Sequence, residues 1–227
     1  MKKIILSFTL LLFAITGFSQ QNKGVTVYQQ NKPVKIDSLV TVVLPVGYQV
    51  KDTLGQQIYS ANGLYGYMIA IREANAKNNA PLKKEKDLNK VLKDYVKGIQ
   101  GQSGDGAALH VRDSTIGTLK AKVFTLKNDD GTGTATFRNF ILLYTQDATY
   151  TFEYVYPENR SELIKDEYKA YASSIKLSPG LQRNDQYISN DNGLSSITKI
   201  EIIGGGGLLV LIIVLIVIKR KNRLVVD

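Results

Sequence analysis

The chain has 227 residues, with no cysteine, no tryptophan and a single histidine, His110, and it carries a net charge of +9. Without cysteine there is no disulfide, no thiolate metal site and no cysteine nucleophile, so stability must rest on packing. Five of the nine charges sit at the ends, on Lys2, Lys3, Lys219, Arg220, Lys221 and Arg223 less Asp227, and the remainder is too mildly basic to indicate a nucleic-acid partner.

The first residues, MKKIILSFTLLLFAITGFSQ, read as a secretory signal peptide over residues 1–19. Lys2 and Lys3 form its charged start, an apolar run follows, and Gly17 and Ser19 are small residues before a cut at Gln20. No cysteine follows that cut, so a lipid anchor is excluded. Residues 25–177 are expected to fold as one domain of ordinary size.

Within that domain VTVVL, ended by Pro45 and Gly47, predicts a strand. Residues 56–60 and 65–73 flank an Ala61-Asn62-Gly63 turn and predict a hairpin. PLKKEKDLNKVLKDYVKGIQ then predicts a helix, with Pro81 in its first turn. Leu88, Val91, Leu92, Tyr95 and Ile99 recur at i, i+3, i+4, i+7 and i+11 and share one face. Lysines at 83, 84, 86, 90, 93 and 97 crowd the rest of it, as a solvated face or as a contact for acidic lipid or an acidic partner.

GQSGDG breaks the helix, and strands are expected over 109–114, 119–126, 134–145 and 149–156. The last two form a hairpin through Gln146-Asp147-Ala148. A second helix over 161–175 places Ile164, Tyr168, Tyr171 and Ile175 on one face, with Asn159 and Glu162 as a capping box. Polar residues 178–201 read as a flexible stalk.

Residues 202–218 are uncharged and would make about 25 Å of helix, near the lower limit for crossing a bilayer. Glu201 precedes this run and Lys219, Arg220, Lys221 and Arg223 follow it. The basic tail, 219–227, therefore stays in the cytoplasm, and the domain lies on the extracytoplasmic side of a bacterial inner membrane. Gly204, Gly205, Gly206 and Gly207 make the outer end of the span its weakest part, expected to act as a soft joint, with proteolytic release there as the alternative.

Sites are sparse. His110 is the one histidine available to a catalytic triad, and it lies on an expected strand. NDDGTG lacks the alternating carboxylates of a calcium loop and reads as a turn. Asn159-Arg160-Ser161 matches a glycosylation sequon but also suits a helix cap. No catalytic, metal or cofactor residues are assigned. The candidate binding face is aromatic: Tyr150, Phe152, Tyr154 and Tyr156 alternate along one strand, with Tyr59, Tyr65 and Tyr67 in the earlier hairpin. The row is either a ligand platform or a sheet face covered by a helix.

The order of elements, with VTVVLPVGYQV, GYMIAIRE, LNKVLKDYV and FRNFILLYTQDATYTFEYVYP before the last helix, resembles the PsbP/Mog1-like domains over about residues 35–177. That resemblance implies an α+β fold, a largely antiparallel sheet of five to seven strands with two main helices on its faces. It also implies a mostly non-enzymatic family that assists assembly or binds partners. With a C-terminal transmembrane helix added, the expectation is a membrane-tethered binding or assembly module. It would contact an envelope protein or a small apolar ligand. An envelope enzyme, and a surface protein released or sorted by cleavage, are the alternatives.

Overall fold

The computed structural model describes residues 30–76, 80–103, 106–129 and 133–188. The expected signal peptide with Lys2, Lys3, Ser19 and Gln20, the 202–218 run with Gly204–Gly207, and the basic tail lie outside the described residues. Among the described residues no helix is long and apolar enough to cross a membrane.

Among the described residues ten strands and two α-helices follow one another: β1 (Asn31–Lys35), β2 (Val40–Pro45), β3 (Gln49–Thr53), β4 (Gln56–Asn62), β5 (Tyr67–Ala74), α1 (Glu85–Gln102), β6 (Ala107–Ile116), β7 (Leu119–Asn128), β8 (Thr136–Tyr144), β9 (Ala148–Pro157), α2 (Lys165–Ser173) and β10 (Lys176–Leu177). Seven of the strands form one antiparallel sheet in the order β3-β4-β5-β9-β8-β7-β6. This is the α+β architecture expected. A second, three-stranded sheet, β1-β2-β10, was not expected. Its VTVVL strand is legible, but its partners are a proline-containing pentapeptide and a two-residue strand that carry no alternating pattern.

The large sheet separates two cores. One face meets the small sheet and α2, burying Val40, Val42 and Leu44 of β2 with Ile164, Tyr171 and Ile175 around the second helix. On the other face α1 buries Leu88, Leu92, Tyr95, Val96 and Ile99 against Phe124, Leu126, Phe140 and Leu142. Phe124 and Phe140 stack there with ring centroids 4.7 Å apart. A sheet buried on both faces explains why β9 is covered along nearly its whole length.

Several boundaries differ from expectation; the first hairpin turns at Gly63–Gly66, with Ala61 and Asn62 inside β4, and not at Ala61–Gly63. Helix α1 starts at Glu85, not at Pro81, because the Asp87 carboxylate accepts the Lys84 N–H (3.0 Å) and fixes the cap there. The Asn159–Glu162 capping box does not form. Glu158–Arg160 is a 3-10 turn, Ile164 is the cap of α2, and Glu162 pairs with Lys165 instead. Residues 178–188, expected in the stalk, belong to the domain. Ser178 N–H donates to Leu39 O (2.7 Å), Leu181 and Tyr187 are buried, and Gln186 spans Lys120 and Tyr144 with side-chain hydrogen bonds. Their polar composition hid this, since Gln186 is held by its amide and not by apolar contact.

Candidate functional site

Strand β9 lies in the middle of the large sheet, so its alternate side chains point into opposite cores. Tyr150, Phe152, Tyr154 and Tyr156 all enter the α2 side and are 1%, 1%, 0% and 9% exposed. They form the covered sheet face. Protein fills the space over the rings: Tyr154 meets Tyr168 and Tyr171 of α2 at centroid distances of 5.6 and 6.3 Å. Two open clefts, about 330 and 500 Å3, lie on the opposite side of the sheet between α1 and β6–β7 and touch none of the four.

The row has a different role, carried by its phenols. Tyr150 donates to Asp37 Oδ2 (2.6 Å), and Tyr154 donates to Glu167 Oε2 (2.6 Å). Burial raises the pKa of both phenols, and the carboxylate each one faces raises it further, so both remain protonated donors. Asp37 behaves oppositely. Burial pushes its carboxyl up, but hydrogen bonds from Tyr150, the Leu39 amide, Arg72 and the Val40 amide outweigh that and hold it below its ordinary value. Each tyrosine therefore anchors a carboxylate, and each carboxylate anchors a loop.

The loop anchored by Glu167 faces solvent. The β4–β5 turn reads Gly63-Leu64-Tyr65-Gly66, closed by Gly63 N–H to Gly66 O (2.7 Å). Glu167 Oε1 accepts the Leu64 N–H (2.5 Å) and Oε2 accepts the Tyr65 N–H (2.9 Å), while Arg160 Nη1 donates to Tyr65 O (3.1 Å). The turn can lie this close only because its ends are glycine. A Cβ on Gly66 would come within 2.5 Å of the Tyr154 ring, and one on Gly63 would collide with the Glu167 carboxylate. With its backbone held, the turn presents Leu64 at 64% exposure. Leu163, between the two residues that hold the turn, is 55% exposed.

The aromatic candidates thus separate. Tyr65 is half-buried against the α2-side core while its backbone carries the clamp. Tyr67 pairs with Val155 and lies half-buried on the opposite face from the row. Tyr59 donates to Ile36 O (3.1 Å) and ties β4 to the small sheet. Sequence reading missed Leu64, Leu163 and Glu167. The one local signal was the pair of glycines bracketing Leu-Tyr, which marks a close backbone approach.

The titratable residues that meet here, Tyr154, Glu167 and Arg160, are bonded to one another or to the turn backbone. His110 is exposed on the edge strand β6, at φ +53°, where the register skips between Leu109 and Arg112. This is a β-bulge, and it turns Val111 into the larger cleft. Among the described residues no cluster of three or more His, Asp or Glu side chains is arranged to hold a metal ion. What the site offers is a rigid apolar projection flanked by Arg160.

No protein-family model matches the sequence. No curated protein matches it either. Among solved structures the chain is similar to the cyanobacterial PsbP of Synechocystis, at 16% identity and a TM-score of 0.46, over 71% of this chain and 100% of that one. It is also similar to LpqN, described as involved in cell envelope biogenesis of Mycobacterium tuberculosis, at 13% identity and 0.42, over 67% and 92%. A protein of Bacteroides thetaiotaomicron matches at 12% identity and 0.39, over 62% of this chain and 46% of that chain. PsbP, the family the sequence phrases resemble, is among these structural matches.

Proposed function

We propose that this chain is a non-enzymatic, extracytoplasmic binding module, tethered to the bacterial inner membrane by residues 202–218, that docks an envelope protein through Leu64 and Leu163. The observation carrying this reading is the clamped turn. Exposed leucines on mobile loops cost ordering entropy when they bind, whereas Leu64 stands on a backbone already fixed by Glu167 and Arg160. Preformed apolar anchors of this kind concentrate binding energy at the centre of an interface. The small apolar ligand loses its support with the burial of the aromatic row, since a ligand has no access to rings packed under α2. The enzyme alternative gains no support from the site's phenol–carboxylate pair, Tyr154 and Glu167, because the phenol is buried and the carboxylate is taken up by the turn.

The test is co-purification from the native envelope. Full-length chain and a Leu64→Asp, Leu163→Asp variant are expressed at equal levels and extracted in mild detergent. The variant, altered only at exposed side chains, is expected to keep its thermal stability and lose at least tenfold of any stoichiometric partner. A variant that retains its partner in full overturns the assignment.

A further inference from the structure

We propose that the outer face of α1 lies on an anionic lipid surface, with four lysines as its contacts. Lys86, Lys90, Lys93 and Lys97 are all exposed and recur at i, i+4, i+7 and i+11. Leu88, Leu92, Tyr95 and Ile99 have the same spacing two residues on, so the lysines form a straight stripe on the side facing away from the core. From first to last the stripe runs about 16 Å.

Helix stability does not ask for this arrangement. Like charges at i, i+4 oppose each other, and Lys86 sits at the helix end where the macrodipole is already positive. Neighbouring carboxylates offset the stripe only in part. Among the described residues none of the four lysines makes an ion pair. Glu85 is engaged with Lys120 (2.5 Å) and Asp113, across the cleft that Lys93 and Lys97 border, with Lys122, which leaves Asp87 and Asp94 as the charges beside the four lysines and the stripe net positive.

Lipid is favoured over an acidic protein by where the chain leaves the domain. Ile188 N–H donates to Leu82 O (2.9 Å), so the last described residue is fastened two residues before the Lys84 cap. Thirteen residues separate it from the uncharged run 202–218. Fully extended, thirteen residues reach at most about 45 Å. If 202–218 spans the membrane, as the functional reading has it, the stripe is never farther from the bilayer than this tether and the domain allow. Contacts too weak for a free protein then become effective, because the second binding event is intramolecular. Leu64 and Leu163 lie on other elements and stay open to a protein partner in this arrangement.

The test uses a chain that begins at Gln20 and ends at Ser189, which retains both cores and forms a compact unit. Partition is measured onto vesicles of phosphatidylcholine alone and with about one third phosphatidylglycerol. Binding is expected on the acidic vesicles only, and 0.5 M salt should abolish it. Each Lys→Ala change in the stripe is expected to weaken partition about fivefold, so the fourfold variant should fall to the neutral-vesicle level. A charge-matched control replaces Lys32, Lys35, Lys169 and Lys176, which are exposed elsewhere, and should retain most of the binding. Equal partition on both vesicle types, or equal loss in the control, overturns the proposal and leaves the stripe to an acidic protein surface. This fragment has no span, so the result does not depend on the tether. Alkaline carbonate extraction of the full chain reads the tether separately.

Discussion

Replacing Asp37 with asparagine keeps the side chain's size and removes its charge. In the folded chain Oδ1 accepts the Leu39 and Val40 amides at 2.8 and 2.9 Å, while Oδ2 accepts Arg72 Nε at 2.7 Å and the Tyr150 hydroxyl at 2.6 Å. An asparagine can still serve the two amides, but its NH2 group then faces the two donors. Two charge-assisted bonds are lost, each worth about 1.5–3 kcal/mol, and Arg72 is left without its carboxylate in a mostly buried position. The expected cost is about 4 kcal/mol, or a fall of about 10 °C in Tm for a domain of this size. The folded-state pKa of Asp37 lies below its ordinary value, so its contribution is present above the unfolded carboxyl pKa and disappears as pH falls through the folded one. Urea unfolding of wild type and Asp37→Asn from pH 7 down to pH 3 should show a constant gap that begins to close below about pH 4. A variant within about 1 kcal/mol of wild type at pH 7, or a gap that widens in acid, refutes the anchoring role.

Gly66→Ala should cost about 2–3 kcal/mol, because its Cβ would meet the Tyr154 ring, which the Glu167 bond prevents from yielding; chemical denaturation measures it. The buried phenols of Tyr150, Tyr154 and Tyr171 have raised pKa values, as has Tyr95, pushed up to about 12 by burial. Stability from them is complete below the ordinary phenol value and lost as pH rises toward the folded values, so absorbance titration should show their ionisation arriving with loss of structure. Leu54 and Gly55 both have positive φ, 49° and 81°, in the β3–β4 turn. Leu54→Asn supplies the residue pair this turn favours and should raise stability by about 1 kcal/mol, read as a higher Tm.

Elements with apolar rhythm were legible, and those without it were not. The hairpin from Thr136 to Pro157 and the helix around Leu88–Ile99 follow from periods of 2 and 3.6, and their observed spans match within a few residues. Edge strand β3, QVKDT, is exposed along most of its length and so leaves no alternating record. The aromatic row was visible as a row. Its anchors were not, since neither Asp37 nor Glu167 stands in a pattern that ties it to a distant tyrosine. Asp37 stands 113 residues from its tyrosine, a distance over which no local pattern reports contact. The exposed leucines were hidden for the same reason: only the clamp distinguishes Leu64 from any other apolar residue in a turn.

Site-specific photocrosslinking in intact cells tests the central claim most directly. A photoreactive residue is placed at Leu64 in the full chain, and a second chain carries it at Lys35, which is exposed on β1. Position 64 should give one discrete protein adduct that disappears when Glu167→Gln loosens the turn, at equal expression and with the domain still folded but its Tm lowered by about 10 °C, the loss the same reasoning gives Asp37→Asn. Identical adducts from positions 64 and 35, or none from position 64, would contradict the assignment of this turn as the docking site.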